Sequence, residues 1–170
     1  MGQSFLVIPK TLRRLMVKGS LVEHSRELLA CSGERDFEAV VLWLGTVLSE
    51  VEARVEHIFF PRQIVYRTEY GLAVEVPVEE WTELALRLPP GWFVLAKLHT
   101  HAGAAYHSDV DAENPYLCHE GAISITVPGF AQAPLGNLEE CSVNVLHGGR
   151  WRELSVAEVG QAIIVEEDEA

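Results

Sequence analysis

Apolar residues along this chain recur with two periods, and each period predicts a type of element. Ser4 to Ile8 is a short apolar run closed by Pro9 and reads as a first strand. From about Leu12 to Ala30, the residues Leu12, Leu15, Met16, Leu21, Val22, Leu28 and Leu29 recur at helical intervals. Gly19-Ser20 is a weak point that splits or kinks that helix. Ser32-Gly33 stops it, since glycine is favoured just past a helix C-terminus. Ala39 to Gly45 is then continuously apolar over a strand's length, the pattern of a central strand buried on both faces.

Arg54 to Phe60 reads as a strand ended by Pro61, and Gly71 to Val76 as a further short strand. Pro77 opens a helix over Val78 to Leu88, with Trp81, Leu84, Ala85 and Leu88 on one face and Pro89-Pro90-Gly91 as its stop. The strand Trp92 to His99 follows, then a loop over Ala102 to His107, and Ser108 or Asp109 can cap a short helix running to about His119. Ala122 to Val127 is rich in β-formers, and Ser142 to Leu146 with Trp151 to Leu154 suggests a hairpin around Gly148-Gly149. The expected fold is α+β, a mixed and mostly antiparallel sheet flanked by helices. Without repeats or linkers, residues 1–170 are expected to form a single domain with its core at about 4–155.

Composition adds boundaries. With 170 residues, 48% apolar and 22% charged, the chain is an ordinary globular one with room for a single core. Its 25 acidic and 13 basic residues leave a net charge of −12, which repels phosphate backbones and anionic lipid and argues against nucleic acid or membrane as partners. The longest apolar run, Ala39 to Leu48, is about half of the roughly 20 residues that span a bilayer, and the N-terminus does not read as a secretory signal. A cytoplasmic location is therefore expected. The acidic tail over residues 166–170 is expected to fray. Cys31, Cys118 and Cys141 are far apart and form no CxxC pair, so they read as small buried hydrophobes rather than a disulfide or zinc-finger framework.

The chemistry concentrates at the end of one strand. His99 and His101 are one residue apart on an extended chain and so point to the same side. A carboxylate from the next loop would bring the protein ligands to three, the number a catalytic zinc uses when it keeps its fourth position for water. A polar cluster without metal is the alternative, and there each buried imidazole needs its own hydrogen-bond partner. His24, His57, His119 and His147 show no ligand spacing to one another.

His99-Thr100-His101, a short loop and then Ser108-x-x-Asp111 resembles the motif of the JAMM (MPN+, or JAB) metalloproteases. Glu38, which opens the apolar strand ending at Gly45, resembles the upstream glutamate of that family. Gly121 to Pro128 looks like the strand that follows the aspartate in bacterial members, and the resemblance extends over about residues 4 to 155. Two departures stand out: the His101–Ser108 loop holds six residues where seven is usual, and Ala102 stands where proline is usual. The shorter loop leaves Asp111 or Asp109 as third ligand, and His107 as a possible intruder; Asp111 satisfies the Ser-x-x-Asp spacing.

The resemblance implies a cytidine-deaminase-like MPN fold and one zinc ion per chain held by His99, His101 and Asp111. It also implies Glu38 as general base and then acid, and Ser108 as donor to the oxyanion. The implied activity is cleavage after the C-terminus of a ubiquitin-like protein, in deconjugation or precursor processing. Two alternatives are a non-catalytic MPN-type scaffold and a zinc peptidase or amidase acting on small substrates. Neither the particular modifier nor the oligomeric state is legible.

Overall fold

A computed structural model describes residues 14–69, 71–108, 117 and 119–168. The predicted strand at Ser4–Ile8 and most of the predicted helix after Ser108, with Asp109, Asp111 and Cys118, lie outside the described residues. Strand β1 (Arg14–Lys18) leads directly into helix α1 (Gly19–Gly33). Next come β2 (Val40–Val47), β3 (Glu52–Phe59), β4 (Ile64–Thr68) and β5 (Gly71–Glu75). Helix α2 (Val78–Arg87), β6 (Trp92–Thr100) and β7 (Ile123–Val127) follow. The chain closes with β8 (Ser142–His147), β9 (Arg150–Glu153), α3 (Val156–Ala162) and β10 (Ile163–Glu166).

Eight strands form one sheet in the order β10-β1-β3-β2-β6-β7-β8-β9, while β4 and β5 make a separate hairpin. Pairs β1–β10, β1–β3 and β6–β7 are parallel; the other neighbours in the sheet run antiparallel. The fold is thus α+β around a mixed sheet, as expected. No helix among the described residues is long and apolar enough to cross a membrane.

The two sheet faces bury different residues because side chains alternate along each strand. One face packs Val41, Trp43, Leu98, Ile123, Ile125, Val127 and Val143 against Val22 and Leu29 of α1 and Val159 of α3. The other packs Val40, Leu42 and Leu44 against Trp81 and Leu84 of α2. Trp43 is fully buried, and its indole Nε1–H donates to Ser25 Oγ at 2.8 Å while Ser25 donates to the Leu21 carbonyl at 2.7 Å. That relay satisfies a buried donor that would otherwise carry a desolvation cost. At the β-bulge between Leu44 and Gly45, a Cβ on Gly45 would stand 1.8 Å from the Arg54 carbonyl oxygen, so only glycine fits there.

Several expectations are corrected. Residues 14–18 are a strand rather than the first turns of the helix, with Leu15 and Val17 buried and Arg14 and Lys18 exposed, a period of two. Helix α1 begins at Gly19 instead of being kinked there. On α2, Ala85 faces solvent and Glu80 is buried in its place. Strand β4, helix α3 and strand β10 are additions to the predicted elements.

The acidic tail, over its described part, is anchored rather than frayed. Glu166 lies opposite Lys18 in the β1–β10 ladder and sits 3.6 Å from Arg54. Asp168 accepts from the Ser20 amide at 2.8 Å and from the Ser20 hydroxyl, capping the start of α1. Those bonds hold the Asp168 carboxyl below its ordinary pKa, so the contact is present near neutral pH and is lost only as pH falls through that lowered value. Cys31 is exposed, against expectation; Cys141 is a partly buried free thiol whose burial pushes it up to about 12.

Ser25→Ala should lower unfolding stability by about 1–3 kcal/mol, because the Trp43 N–H loses its only described acceptor in a dry site. Urea unfolding followed by tryptophan fluorescence measures this, and an unchanged midpoint would show that the relay contributes nothing.

Candidate metal centre

The start of β2 is held from one side by α2. Pro77 begins that helix, and in its first turn Glu80 accepts from the Arg62 amide at 3.0 Å and from Arg62 Nε at 2.5 Å. The backbone donation first, and the guanidinium next, keep the Glu80 carboxyl below its usual range. Beside Arg62, the Gln63 amide acts as a one-residue strand. Its Oε1 accepts from the Val40 amide at 2.7 Å, and its Nε2 donates to the Val40 carbonyl at 3.2 Å. The backbone just downstream of Glu38 is thereby pinned.

From the other side it is held by β6. Val40 pairs with His99, the Thr100 amide donates to the Ala39 carbonyl at 3.1 Å, and the Ala39 amide donates to Thr100 Oγ1 at 3.0 Å. The β2–β6 ladder ends at the Val40–His99 pair, and Glu38 lies two residues before it in the chain. Residues directly opposite in such a pair share a face, so Val40 lies on the face of His99. This is the α2 face of the sheet. Glu38 is half-buried, whereas His99 and His101 are 3% and 9% exposed.

The backbone of His101 is fixed at both ends: its N–H donates to the Val127 carbonyl and its carbonyl accepts from Phe130, each at 2.9 Å. Phe130 turns through a left-handed φ of 53° and packs against Gly33 of α1, where any Cβ would meet the Phe130 Cβ at 2.4 Å. On β7, Ile123, Ile125 and Val127 face α1, while Ser124 and Thr126 share the histidine face beside β6. Thr126 Oγ1 lies 3.3 Å from His99 Nε2. Tyr106 sets its ring edge-on to His101 at 4.6 Å while staying open to solvent. His107 packs on Trp151 at 5.1 Å, so its ring is engaged with β9.

The structure therefore brings together His99 and His101, while Glu38 lies two residues before the Val40–His99 pair. Ser108 is half-buried at the end of the loop, and the third nominated ligand, Asp111, lies outside the described residues. Among the described residues no three His, Cys, Asp or Glu side chains gather at metal-binding distance. The two imidazoles nonetheless fit a shared ion. Their ring centroids are 5.1 Å apart with planes at 69°. Two rings bound to one tetrahedral zinc through bonds of about 2.0–2.1 Å place their centroids about 5 Å apart. Burial, shared face and spacing all suit a zinc donor pair.

Sequence reasoning missed Gln63, Thr126 and Tyr106. Thr126 carried a signal: Ile-Ser-Ile-Thr-Val alternates apolar and polar in a strand whose residues are all buried. Polar side chains on a buried face mark a functional surface more often than packing. Gln63 and Tyr106 carried no periodic signal, since both sit in irregular segments. Of the other histidines, His147 is exposed and paired with Glu120 at 2.6 Å, and burial holds His119 below its usual pKa.

Comparison with known proteins finds a relative by sequence. Over 134 residues the chain is 30% identical to the probable metalloprotease y4jG of Sinorhizobium fredii, covering 78% of this chain and 82% of that protein. The chain belongs to the JAMM/MPN metalloprotease family. No family model matches it. Among solved structures, protein DSY2949 of Desulfitobacterium hafniense superposes with a TM-score of 0.59 at 18% identity, over 91% of this chain and 94% of that one. A protein of Salinibacter ruber superposes with a TM-score of 0.52 at 15% identity, over 82% of this chain and 88% of that one. Both share the fold of this JAMM/MPN chain.

Gln63→Ala should speed hydrogen exchange at the Val40 amide roughly fivefold, the equivalent of about 1 kcal/mol for one bond, while mid-β2 amides keep their protection. Unchanged Val40 exchange would show that the glutamine does not hold the strand start.

Proposed function

We propose that this protein is a zinc-dependent peptidase of the JAMM type, cutting the peptide or isopeptide bond that follows the C-terminus of a ubiquitin-like protein. The observation that carries the reading is the meeting of two buried imidazoles, His99 and His101, at the end of β6. The S. fredii metalloprotease supports the hydrolytic part. The resemblance of Glu38, His99-Thr-His101 and Ser108-x-x-Asp111 to the JAMM pattern supports the substrate class.

In this reading His99, His101 and Asp111 would hold the ion. Zinc so held lowers the pKa of water to about 7 and polarises a carbonyl. Glu38 takes the proton from the attacking water and passes it to the departing amine, one carboxylate serving as base and then as acid. Its half-buried place leaves it open to solvent. Ser108 donates a hydrogen bond to the oxygen on which negative charge develops. Attack by water makes a covalent acyl-enzyme unnecessary. Tyr106, exposed and edge-on to His101, flanks the path by which an extended chain terminus would enter.

Purified protein should carry about one zinc per chain, and Glu38→Gln should keep that zinc while losing about 10²–10⁴-fold in cleavage. Elemental analysis and cleavage of ubiquitin-like fusions, run beside short peptides, measure both. Full activity in Glu38→Gln would remove the assigned base. Cleavage of short peptides but not of any fusion would replace the substrate class with small peptides.

A further inference from the structure

A neutral imidazole has one N–H and one lone pair, and the nitrogen that holds a cation must be the unprotonated one. Whatever engages the other nitrogen therefore selects the tautomer and fixes the ring. For His99 that neighbour is Thr126. His99 and Thr126 are partners across the parallel β6–β7 pair, and Thr126 Oγ1 lies 3.3 Å from His99 Nε2. Both residues are buried, His99 at 3% exposure and Thr126 at 0%.

We propose that Thr126 is the positioning residue of the metal centre: its hydroxyl oxygen accepts the Nε2–H of His99 and so turns Nδ1 of that ring toward the cation. The inference rests on the reading of His99 as a metal ligand. Thr126 is suited to the task. Threonine is β-branched and stiff about its first side-chain torsion, and here it stands inside a central strand, so the hydroxyl is held rather than free to rotate away. The same position could hold valine without loss of strand propensity or volume, so nothing in the packing of β7 calls for a hydroxyl. Ile123, Ile125 and Val127 carry the apolar face of that strand unaided. The His101 backbone is held by its bonds to Val127 and Phe130, and Tyr106 stands edge-on to its ring.

The test compares zinc affinity in wild type, Thr126→Val, Thr126→Ser and His99→Ala by competition with a chromogenic chelator. Melting of the metal-free proteins is followed alongside. Thr126→Val should weaken zinc binding about 10–100-fold with metal-free melting close to wild type, and Thr126→Ser should restore wild-type affinity. Long-range proton–nitrogen NMR on zinc-loaded wild type should find the His99 proton on Nε2. Wild-type affinity in Thr126→Val, a serine variant as weak as the valine one, or the His99 proton on Nδ1 would each overturn the positioning role. They would leave the ligand reading standing. A wild-type protein that takes up no zinc, or a His99→Ala variant that binds as tightly as wild type, would instead overturn the ligand reading itself.

Discussion

Val40 pairs with His99 across the two central strands, and through that pair the core and the candidate centre share one register. Because the side-chain period of a strand is two, a slip of one residue would turn Val40 and Leu42 from the α2 face to the α1 face and part Val40 from His99. The register is specified from several directions at once. Trp43 is buried among α1 residues and tied to Ser25, Gly45 sits where only glycine clears the Arg54 carbonyl, and Gln63 clasps Val40 on its outer side. None of these groups does chemistry. Each fixes the strand that carries the glutamate relative to the strand that carries the histidines.

The two faces of the sheet divide the work between stability and function. Toward α1 the strands present an almost unbroken apolar surface, running from Leu15 on β1 to Val143 on β8. Toward α2 the face is apolar around β2, and across β6 to β8 it carries a row of buried polar groups: Lys97, His99, Ser124, Thr126, Ser142 and Asn144. Such a row is costly unless its members are hydrogen-bonded or hold an ion. Part of it is satisfied internally, with Asn144 donating to Ser142 at 3.0 Å and Ser142 donating to Glu153 at 2.7 Å. Thr126 of that row lies beside His99.

Much of this was legible in the sequence because each readable feature depended on local patterning. The apolar run ending at Gly45, the Pro77 helix start, the Gly148-Gly149 hairpin and the paired histidines are of that kind. The Leu12–Ala30 reading failed at its beginning because Leu12, Leu15 and Met16 fit a helix stripe while Leu15 and Val17 fit a strand alternation over the same short span. Parallel pairing with β3 and β10 decided for the strand. The tail was misread for a related reason. Its charges suggested fraying, whereas Glu166 and Asp168 find Arg54 and Ser20, partners more than a hundred residues away in the chain. Thr126 and Gln63 act through neighbours on other strands, and no window of sequence contains both partners.

The central claim is that the two imidazoles at the end of β6 belong to a zinc centre completed by the carboxylate of Asp111. Diffraction from crystals of the zinc-loaded protein at wavelengths on either side of the zinc absorption edge tests it most directly. The account predicts one anomalous peak per chain, about 2.0–2.1 Å from a nitrogen of His99, a nitrogen of His101 and an oxygen of Asp111. A peak elsewhere on the chain, or none between the two histidines, would contradict it.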